Sequence, residues 1–270
     1  MSGTPTVSVI IPCHNEADGL AQLHVRLCEA LPRLEAATGA RVAVLLFDNG
    51  STDATLAGMG RIFAGDPRFA IHHSPVNRGI GGALRDGLAL VDADILVTMD
   101  ADCTYDPLAL GPLVTALVAD GWDLATGSPY HPRGAVLNVP AWRLVLSKGL
   151  SLLYRLVAPL RLWTYTSMFR AYRREVLRSI TWSSDGFLST SEILMEAAAG
   201  GFTIFESPTT LATRRFGQSK IRILRVMGDH LGYLRRLATD RRFRRRLRRN
   251  FRAAPAPRAA ADPTTRKDPT

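Results

Sequence analysis

The chain has 270 residues, of which 46% are hydrophobic and 21% are charged. This length suffices for one large domain with a substantial core, and the composition excludes general disorder and a polytopic membrane protein. No stretch reaches the roughly 18 uncharged apolar residues of a membrane-spanning helix, and no basic export signal opens the chain, so we expect a cytoplasmic location. The three cysteines form no CxxC pair, which argues against disulfides and zinc.

The formal net charge of +10 is concentrated near the end of the chain. Ten arginines and one acid, Asp240, lie between residues 235 and 252 and give this stretch a charge of +9. The rest of the chain is nearly neutral, so the basicity is a local feature of this stretch. Residues 253–270 are rich in Ala, Pro and Arg, which predicts a disordered tail.

Three buried strands and a helix are predicted in the first hundred residues. Residues 7–12 form a β-branched apolar run closed by a proline, which predicts a first strand. Leucines at helical spacing over residues 20–34 predict a helix, and residues 42–47 and 95–99 predict two further strands. Strands that alternate with helices indicate an α/β fold with a mostly parallel central sheet.

Polar segments follow the three predicted strands. In parallel sheets, ligands bind outside the carboxyl ends of the strands. The segments that begin at Pro12, Asp48 and Asp100 are therefore expected to converge on one crevice.

The motif Asp100-Ala101-Asp102 is the strongest candidate for a metal site. Two carboxylates one residue apart at a strand end can chelate Mg²⁺ or Mn²⁺, which keeps open positions for the oxygens of a diphosphate. The motif alone is commonest as a surface turn, but its position after a buried strand favours a metal site. Asp48 is favoured as a ligand for a base or ribose.

Two neighbouring motifs leave alternatives open. Residues 49–53 are interpreted either as ligands or as an Asx-type turn with a helix cap. Residues 77–83, NRGIGGA, resemble a phosphate-binding glycine loop, but their spacing fits neither common fingerprint, so alone they predict a turn entering a helix.

The motifs IIPCHNE at 10–16, DNGSTD at 48–53, NRGIG at 77–81 and DAD at 100–102 resemble, in order and spacing, the inverting family 2 glycosyltransferases of GT-A fold. Later motifs are similar to dolichyl-phosphate (polyprenyl-phosphate) mannose synthases: GSPY at 127–130, Arg143 with Ser147, TSMFRAYR at 166–173, and Arg214 with GQSK at 217–220. The resemblance implies a Rossmann-like GT-A catalytic domain over residues 1–220, with helices on both faces of the sheet.

The resemblance also implies the activity and the site. The expected reaction moves a hexose, mannose or glucose, from a GDP- or UDP-sugar to a polyprenyl phosphate. The implied donor-binding residues are Pro12, His14, Glu16, Asp48, Asp100, Ala101, Arg214 and Lys220. The implied metal ligands are Asp100 and Asp102, and the implied catalytic residues are Asp102, Arg143, Ser147 and Glu192.

The chain departs from the family pattern at three positions. His14 stands where the family usually has Tyr, Pro129 where the synthases carry Arg, and Thr104 where many relatives place Gln. A phosphate acceptor needs no strong base, whereas a hydroxyl acceptor, such as a polysaccharide or glycolipid, requires a carboxylate. Glu192 is the candidate base by family position, and a helix-capping acid is its alternative.

Two stretches suggest contact with an anionic membrane surface. Residues 139–163 combine leucines and tryptophan with four cations, which fits an interfacial helix or a helix packed on the sheet. Residues 221–252 predict a basic amphipathic helical region in which Phe243, Leu247 and Phe251 form an apolar stripe. A solvated basic helix is the plainer alternative, and no nucleic-acid-binding module is recognisable.

We therefore expect a peripheral enzyme at the inner face of the membrane. The competing hypotheses are a family 2 transferase with a hydroxyl acceptor and a non-catalytic nucleotide-sugar or membrane-binding protein of the same fold. A dinucleotide oxidoreductase is disfavoured because the first strand is followed by Pro-Cys-His-Asn-Glu and not by a glycine fingerprint.

Overall fold

The computed structural model describes residues 3–158, 160–214 and 223–253. The strands are β1 (Thr6–Cys13), β2 (Arg41–Asn49), β3 (Phe69–Ser74), β4 (Ile95–Thr98), β5 (Leu124–Ser128), β6 (Ala135–Leu137), β7 (Arg170–Arg173), β8 (Ile204–Pro208) and β9 (Thr210–Ala212). The α-helices are α1 (Leu20–Thr38), α2 (Thr55–Phe63), α3 (Gly79–Leu90), α4 (Leu110–Val118), α5 (Ala141–Val157), α6 (Arg174–Ser179), α7 (Leu188–Gly200), α8 (Ile223–Thr239) and α9 (Arg241–Ala253).

Seven strands form the main sheet in the order β3-β2-β1-β4-β7-β5-β8. Strand β7 runs antiparallel to β4 and β5, and the remaining pairs are parallel. The strands β6 and β9 pair in a separate two-stranded sheet. The prediction of a mostly parallel central sheet is confirmed.

Apolar side chains on both faces of β1 explain the layered architecture. Val9 and Ile11 belong to one core, which also contains buried leucines of α1 and α4. Ile10, between them, belongs to a second core with residues of α5, α7, α8 and α9. Because successive side chains of a strand point to opposite faces, these two cores lie on opposite sides of the sheet. Helices therefore cover both faces, as predicted.

The basic C-terminal region is two helices, α8 and α9, separated at Asp240. Asp240 caps the N-terminus of α9, since its carboxylate accepts the backbone N–H of Phe243 at 2.9 Å. Leu247 is buried in the second core and Phe243 packs against it. The stripe expected to face a membrane is therefore used, at these two positions, to attach α9 to the domain. The side chain of Phe251 and the predicted tail after Ala253 lie outside the described residues.

Further contacts fix α9 to α7. The Arg246 guanidinium pairs with the Glu196 carboxylate, and the Asn250 amide donates to the Ala199 carbonyl at 2.7 Å. In the part of the chain that the structure describes, no helix is both long and apolar enough to cross a membrane.

Candidate active site

A cavity of about 660 Å³ opens at the carboxyl ends of β1, β2 and β4. The turns that follow these three strands contribute to its wall, so the predicted convergence of strand ends is confirmed. Nine of the residues predicted for the site line the cavity: Pro12, His14, Glu16, Asp100, Ala101, Asp102, Arg143, Ser147 and Arg214.

The turn after β4 presents the two carboxylates of the Asp-Ala-Asp motif to the cavity. Cys103 has a φ of +53°, in the left-handed region, and so turns the chain sharply after Asp102. The Asp102 carboxylate accepts the backbone N–H of Thr104 at 3.0 Å, which fixes its orientation. Thr104, which stands where many relatives place Gln, also lines the cavity.

Arg214 lies across the acidic centre. Its Nε donates to Oδ2 of Asp102 at 3.0 Å, and its Nη2 donates to Oε1 of Glu16, also at 3.0 Å. The segment before it is held in place, because Leu211 bridges to Tyr105 and the Ala212 N–H donates to the Thr104 carbonyl at 2.9 Å. The turn after β4 thus positions both the carboxylates and the cation that neutralises them.

The electrostatics of the centre favour a bound cation. Burial, the Asp102 carboxylate and the Glu16 carboxylate raise the pKa of Asp100, whereas Arg214 opposes the shift. One guanidinium therefore compensates the three carboxylates incompletely. The paired oxygens of Asp100 and Asp102 are hard donors that suit Mg²⁺ or Mn²⁺.

The described residues contain no group of three or more His, Cys, Asp or Glu side chains that could hold a metal ion. A protein contribution of two carboxylates is nevertheless chemically sufficient for Mg²⁺, which is commonly bound by one or two carboxylates together with substrate phosphates and water. The donor set of Asp100 and Asp102 fits such an ion.

Strand β2 brings Asn49, and not the predicted Asp48, to the cavity wall. The Asp48 side chain is fully buried, accepts from Nδ1 of His73 at 2.7 Å, and leaves Oδ1 without a described partner. The Asn49 amide donates to the Gly79 carbonyl at 3.1 Å and accepts the Arg78 N–H at 2.9 Å. Asn49 thereby ties the end of β2 to the start of α3.

Further residues line the cavity besides those predicted as ligands or catalytic residues. Asn77, Gly79 and Ile80 come from the glycine-rich segment, for which the sequence alone predicts a turn entering a helix. The segment enters α3 at Gly79, so the predicted turn entering a helix is confirmed, and the segment also lines the cavity. The cavity has nine further lining residues: Cys13, Tyr130, Val139, Pro140, Leu144, Phe187, Leu211, Ala212 and Thr213.

Helix α5 supplies Arg143 and Ser147 to the same cavity. They are four residues apart and therefore share one face of the helix. Both also line an adjoining groove of about 280 Å³ between α5 and α8, together with Phe187. The groove is otherwise mainly apolar, with Trp142 and Met227 among its walls.

Besides Asp48, one predicted residue of the described chain, Glu192, does not line the cavity. Glu192 is buried in α7 and borders a different cavity, next to Ser183. Lys220 lies outside the described residues. The structure therefore brings most of the predicted donor site together, but it does not place Glu192 at the reacting centre.

A family model described as Glycosyl transferase family 2 matches residues 8–181. The chain is a family 2 glycosyltransferase. This family 2 enzyme is 36% identical over 230 residues to the polyprenol monophosphomannose synthase of Mycolicibacterium smegmatis, covering 81% of this chain and 82% of the relative. It is 33% identical to the undecaprenyl-phosphate mannosyltransferase of Micrococcus luteus, covering 80% of this chain and 87% of the relative.

A solved structure supports the fold assignment of the family 2 enzyme. The glucosyl-3-phosphoglycerate synthase of Mycobacterium tuberculosis, in complex with Mn²⁺, uridine-diphosphate-glucose and phosphoglyceric acid, aligns with a TM-score of 0.65 at 22% identity. The alignment covers 87% of this chain and 80% of that one. The GT-A fold implied by the sequence motifs is confirmed.

Proposed function

We propose that this family 2 glycosyltransferase moves a hexose, in the first place mannose, from a nucleotide sugar to a polyprenyl phosphate. The observation that carries the proposal is the junction of the acidic cavity with the apolar groove at Arg143, Ser147 and Phe187. The two relatives are named for mannose and for polyprenol or undecaprenyl phosphate, which favours this sugar and this acceptor class. The choice between GDP and UDP stays a prediction.

The donor diphosphate is assigned to the acidic side of the cavity. Asp100 and Asp102 would hold Mg²⁺ or Mn²⁺, and this ion, when bound, neutralises the diphosphate and stabilises it as a leaving group. The solved relative described with Mn²⁺ and a nucleotide sugar supports this assignment. Arg214 lies beside Asp102 and offers a planar fork of donors suited to phosphate oxygens.

The acceptor is assigned to the junction and the groove. Arg143 and Ser147 would contact its phosphate, because both belong to the cavity and to the groove. The apolar lining residues Leu146, Leu150 and Val226 would contact its isoprenoid chain. A charged head and an apolar tail thus match a site that is cationic at one end and apolar along its length.

The acceptor phosphate is already anionic, so its oxygen can attack the anomeric carbon without a general base. A new bond forms between this oxygen and C1, the bond from C1 to the diphosphate breaks with inversion, and the nucleoside diphosphate leaves. Arg143 and Arg214 reduce the repulsion between the two phosphorylated reactants, which is the main obstacle to their approach.

The exposed face of α5 supports a location at a membrane surface. Six large exposed apolar residues recur on α5 at helical spacing and form one stripe: Trp142, Val145, Leu146, Leu152, Leu153 and Leu156. Two more exposed leucines, Leu224 and Leu231, lie on α8. Arg155 lies over the ring of the exposed Trp163 at 5.0 Å. Apolar and aromatic groups next to cations are typical of interfacial helices. The inner face of the membrane stays a prediction, which protease protection in intact vesicles tests.

Transfer of label tests the proposed reaction. The enzyme is incubated with radiolabelled GDP-mannose, or with UDP-mannose or UDP-glucose, and with either polyprenyl phosphate or the unphosphorylated polyprenol. We expect label in a butanol-soluble product only with the phosphate, and only when Mg²⁺ or Mn²⁺ is present. Label that passes to the hydroxyl group of polyprenol would instead support the hydroxyl-acceptor hypothesis.

A matched pair of variants separates the metal site from general effects of lost charge. Asp102→Asn keeps the shape of the side chain but weakens binding of the cation, so transfer is expected to fall by at least about a hundredfold. Asp120→Asn makes the same change on the loop between α4 and β5, outside the cavity lining. Unchanged transfer by Asp102→Asn would contradict metal-dependent catalysis.

A further inference from the structure

Glu192 is a buried carboxylate with a complete set of local partners. It is 4% exposed. Oε2 accepts the backbone N–H of Ser183 at 3.1 Å and that of Ser184 at 2.8 Å, while Oε1 accepts the Ser183 hydroxyl at 3.1 Å. The carboxylate thus fastens the loop of residues 183–187 to α7. It is also absent from the lining of the catalytic cavity.

The loop that Glu192 holds packs directly on the N-terminal turn of α3. The Gly81 N–H donates to the Asp185 carbonyl at 2.7 Å. A Cβ added at Gly79 would stand 2.2 Å from that same carbonyl oxygen, and one added at Gly81 would stand 2.1 Å from the Ser184 carbonyl oxygen. Backbone therefore meets backbone here, and a shift of the loop must be accommodated by the glycine-rich turn.

Both sides of this contact line the catalytic cavity. Gly79 and Ile80 come from the turn, and Phe187 comes from the end of the loop. Phe187 also lines the apolar groove, at its junction with the cavity. On the opposite side, Asn49 binds the Gly79 carbonyl and thus fixes the turn to β2. The turn is held between β2 and the loop, and Glu192 fixes the backbone of the loop at Ser183 and Ser184.

We propose that Glu192 is a positioning residue: by holding the loop, it fixes the positions of Gly79 and Ile80 in the wall of the catalytic cavity and of Phe187 at the junction. In this role Glu192 is not the proton acceptor of the reaction. The inference rests on the proposed function only for the identity of the acceptor. It follows that transfer depends on the hydrogen-bond acceptors of this side chain and not on its charge.

The substitution Glu192→Gln separates the two roles. The glutamine oxygen can accept both backbone N–H groups, and its NH₂ group can donate to the Ser183 hydroxyl in place of the bond that Oε1 accepted. We expect kcat, and the pH profile of kcat, to stay within about twofold of wild type. Glu192→Ala loses all three bonds, so we expect nucleotide-sugar KM and Kd to rise about tenfold, with a smaller change in kcat.

Amide hydrogen exchange measures the same effect in the absence of a sugar acceptor. The backbone amides of residues 79–82 and 183–187 are expected to exchange faster in Glu192→Ala than in wild type, and at the wild-type rate in Glu192→Gln. Glu196→Gln is the control, since Glu196 lies one turn further along α7 and pairs with Arg246. The exchange and the donor Kd are measurable even if no polyprenyl-linked product forms, so failure of the proposed acceptor leaves this test intact.

Two results would overturn the inference. The first is a loss of kcat of a hundredfold or more in Glu192→Gln with unchanged donor Kd, which is the behaviour of a general base. The second is unchanged amide exchange at residues 79–82 together with an unchanged donor Kd in Glu192→Ala. Should that variant not fold, the same two measurements are made on Glu192→Asp, whose shorter side chain cannot reach the same N–H groups.

Discussion

Leu247 distinguishes an apolar stripe packed inside the protein from one that faces a membrane. It is 2% exposed in the core between α9 and α7, whereas Leu156 on α5 is 74% exposed. Truncation of a buried leucine to alanine costs about 2–5 kcal/mol of folding free energy. Because α9 keeps its bonds to Glu196 and Ala199, we expect Leu247→Ala to lose about 2–3 kcal/mol, in the lower part of that range.

For a chain of this size each kcal/mol lowers Tm by roughly 2–4 °C, so Leu247→Ala is expected to melt about 4–12 °C below wild type. Leu156→Ala makes the same change at an exposed site and is expected to leave Tm within about 2 °C. The measurements are differential scanning calorimetry and flotation with vesicles of phosphatidylcholine and phosphatidylglycerol.

The two leucines should have opposite effects in these assays. Leu156→Ala is expected to weaken vesicle binding several-fold, and Leu247→Ala is expected to bind vesicles like wild type at temperatures below its Tm. A Leu247→Ala variant with unchanged Tm and weaker vesicle binding would refute the packing of α9 on α7.

Three further predictions concern the site and its surroundings. Arg214→Ala removes the cation shared by Asp102 and Glu16, so kcat/KM for the nucleotide sugar should fall at least about tenfold in steady-state assays. Wild-type kcat/KM in Arg214→Lys would contradict a role for the planar guanidinium group. Nucleoside diphosphate and Mn²⁺ together should stabilise the protein by about 2.7 kcal/mol at a hundred times Kd in thermal-shift assays, and equal stabilisation of Asp102→Asn would contradict the metal site. Burial lowers the pKa of His230 to about 4. In the unfolded chain this histidine already binds its proton near pH 6.5, so protonation favours unfolding as the pH falls. The free energy of unfolding, measured by urea titration, should therefore fall by roughly 2–3 kcal/mol from pH 7.5 to 4.5. His230→Gln should be less sensitive to this pH change, and equal sensitivity would show that other groups cause it.

The strand ends and the acidic motif were predictable from the sequence because their signals are local. A buried strand followed at once by a polar turn shows where the carboxyl edge of a parallel sheet lies. This pattern was enough to predict that Pro12, Glu16, Asp100 and Asp102 lie at one crevice, and all four line the cavity. The glycine-rich segment was also found, although its position in the cavity wall was not.

The choice between Asp48 and Asn49 could not be made from the sequence. Strand β2 is buried on both faces, with Leu46 in one core and Phe47 in another, so the strand has no alternation of polar and apolar residues. The pattern therefore does not show which of the two following polar side chains points into the cavity. Asn49 does, and the Asp48 side chain is buried.

The sequence by itself determined the family, three strands of the sheet and the acidic centre, since each depends on motifs whose residues lie within a few positions of one another. Tertiary structure decided which distant groups meet: Arg214 reaches Asp102 across 112 positions. It also decided which apolar stripes are covered, because helical spacing creates a stripe on α5 and on α9 alike. Only the packing of neighbouring helices left that of α5 exposed and buried Leu247 on α9.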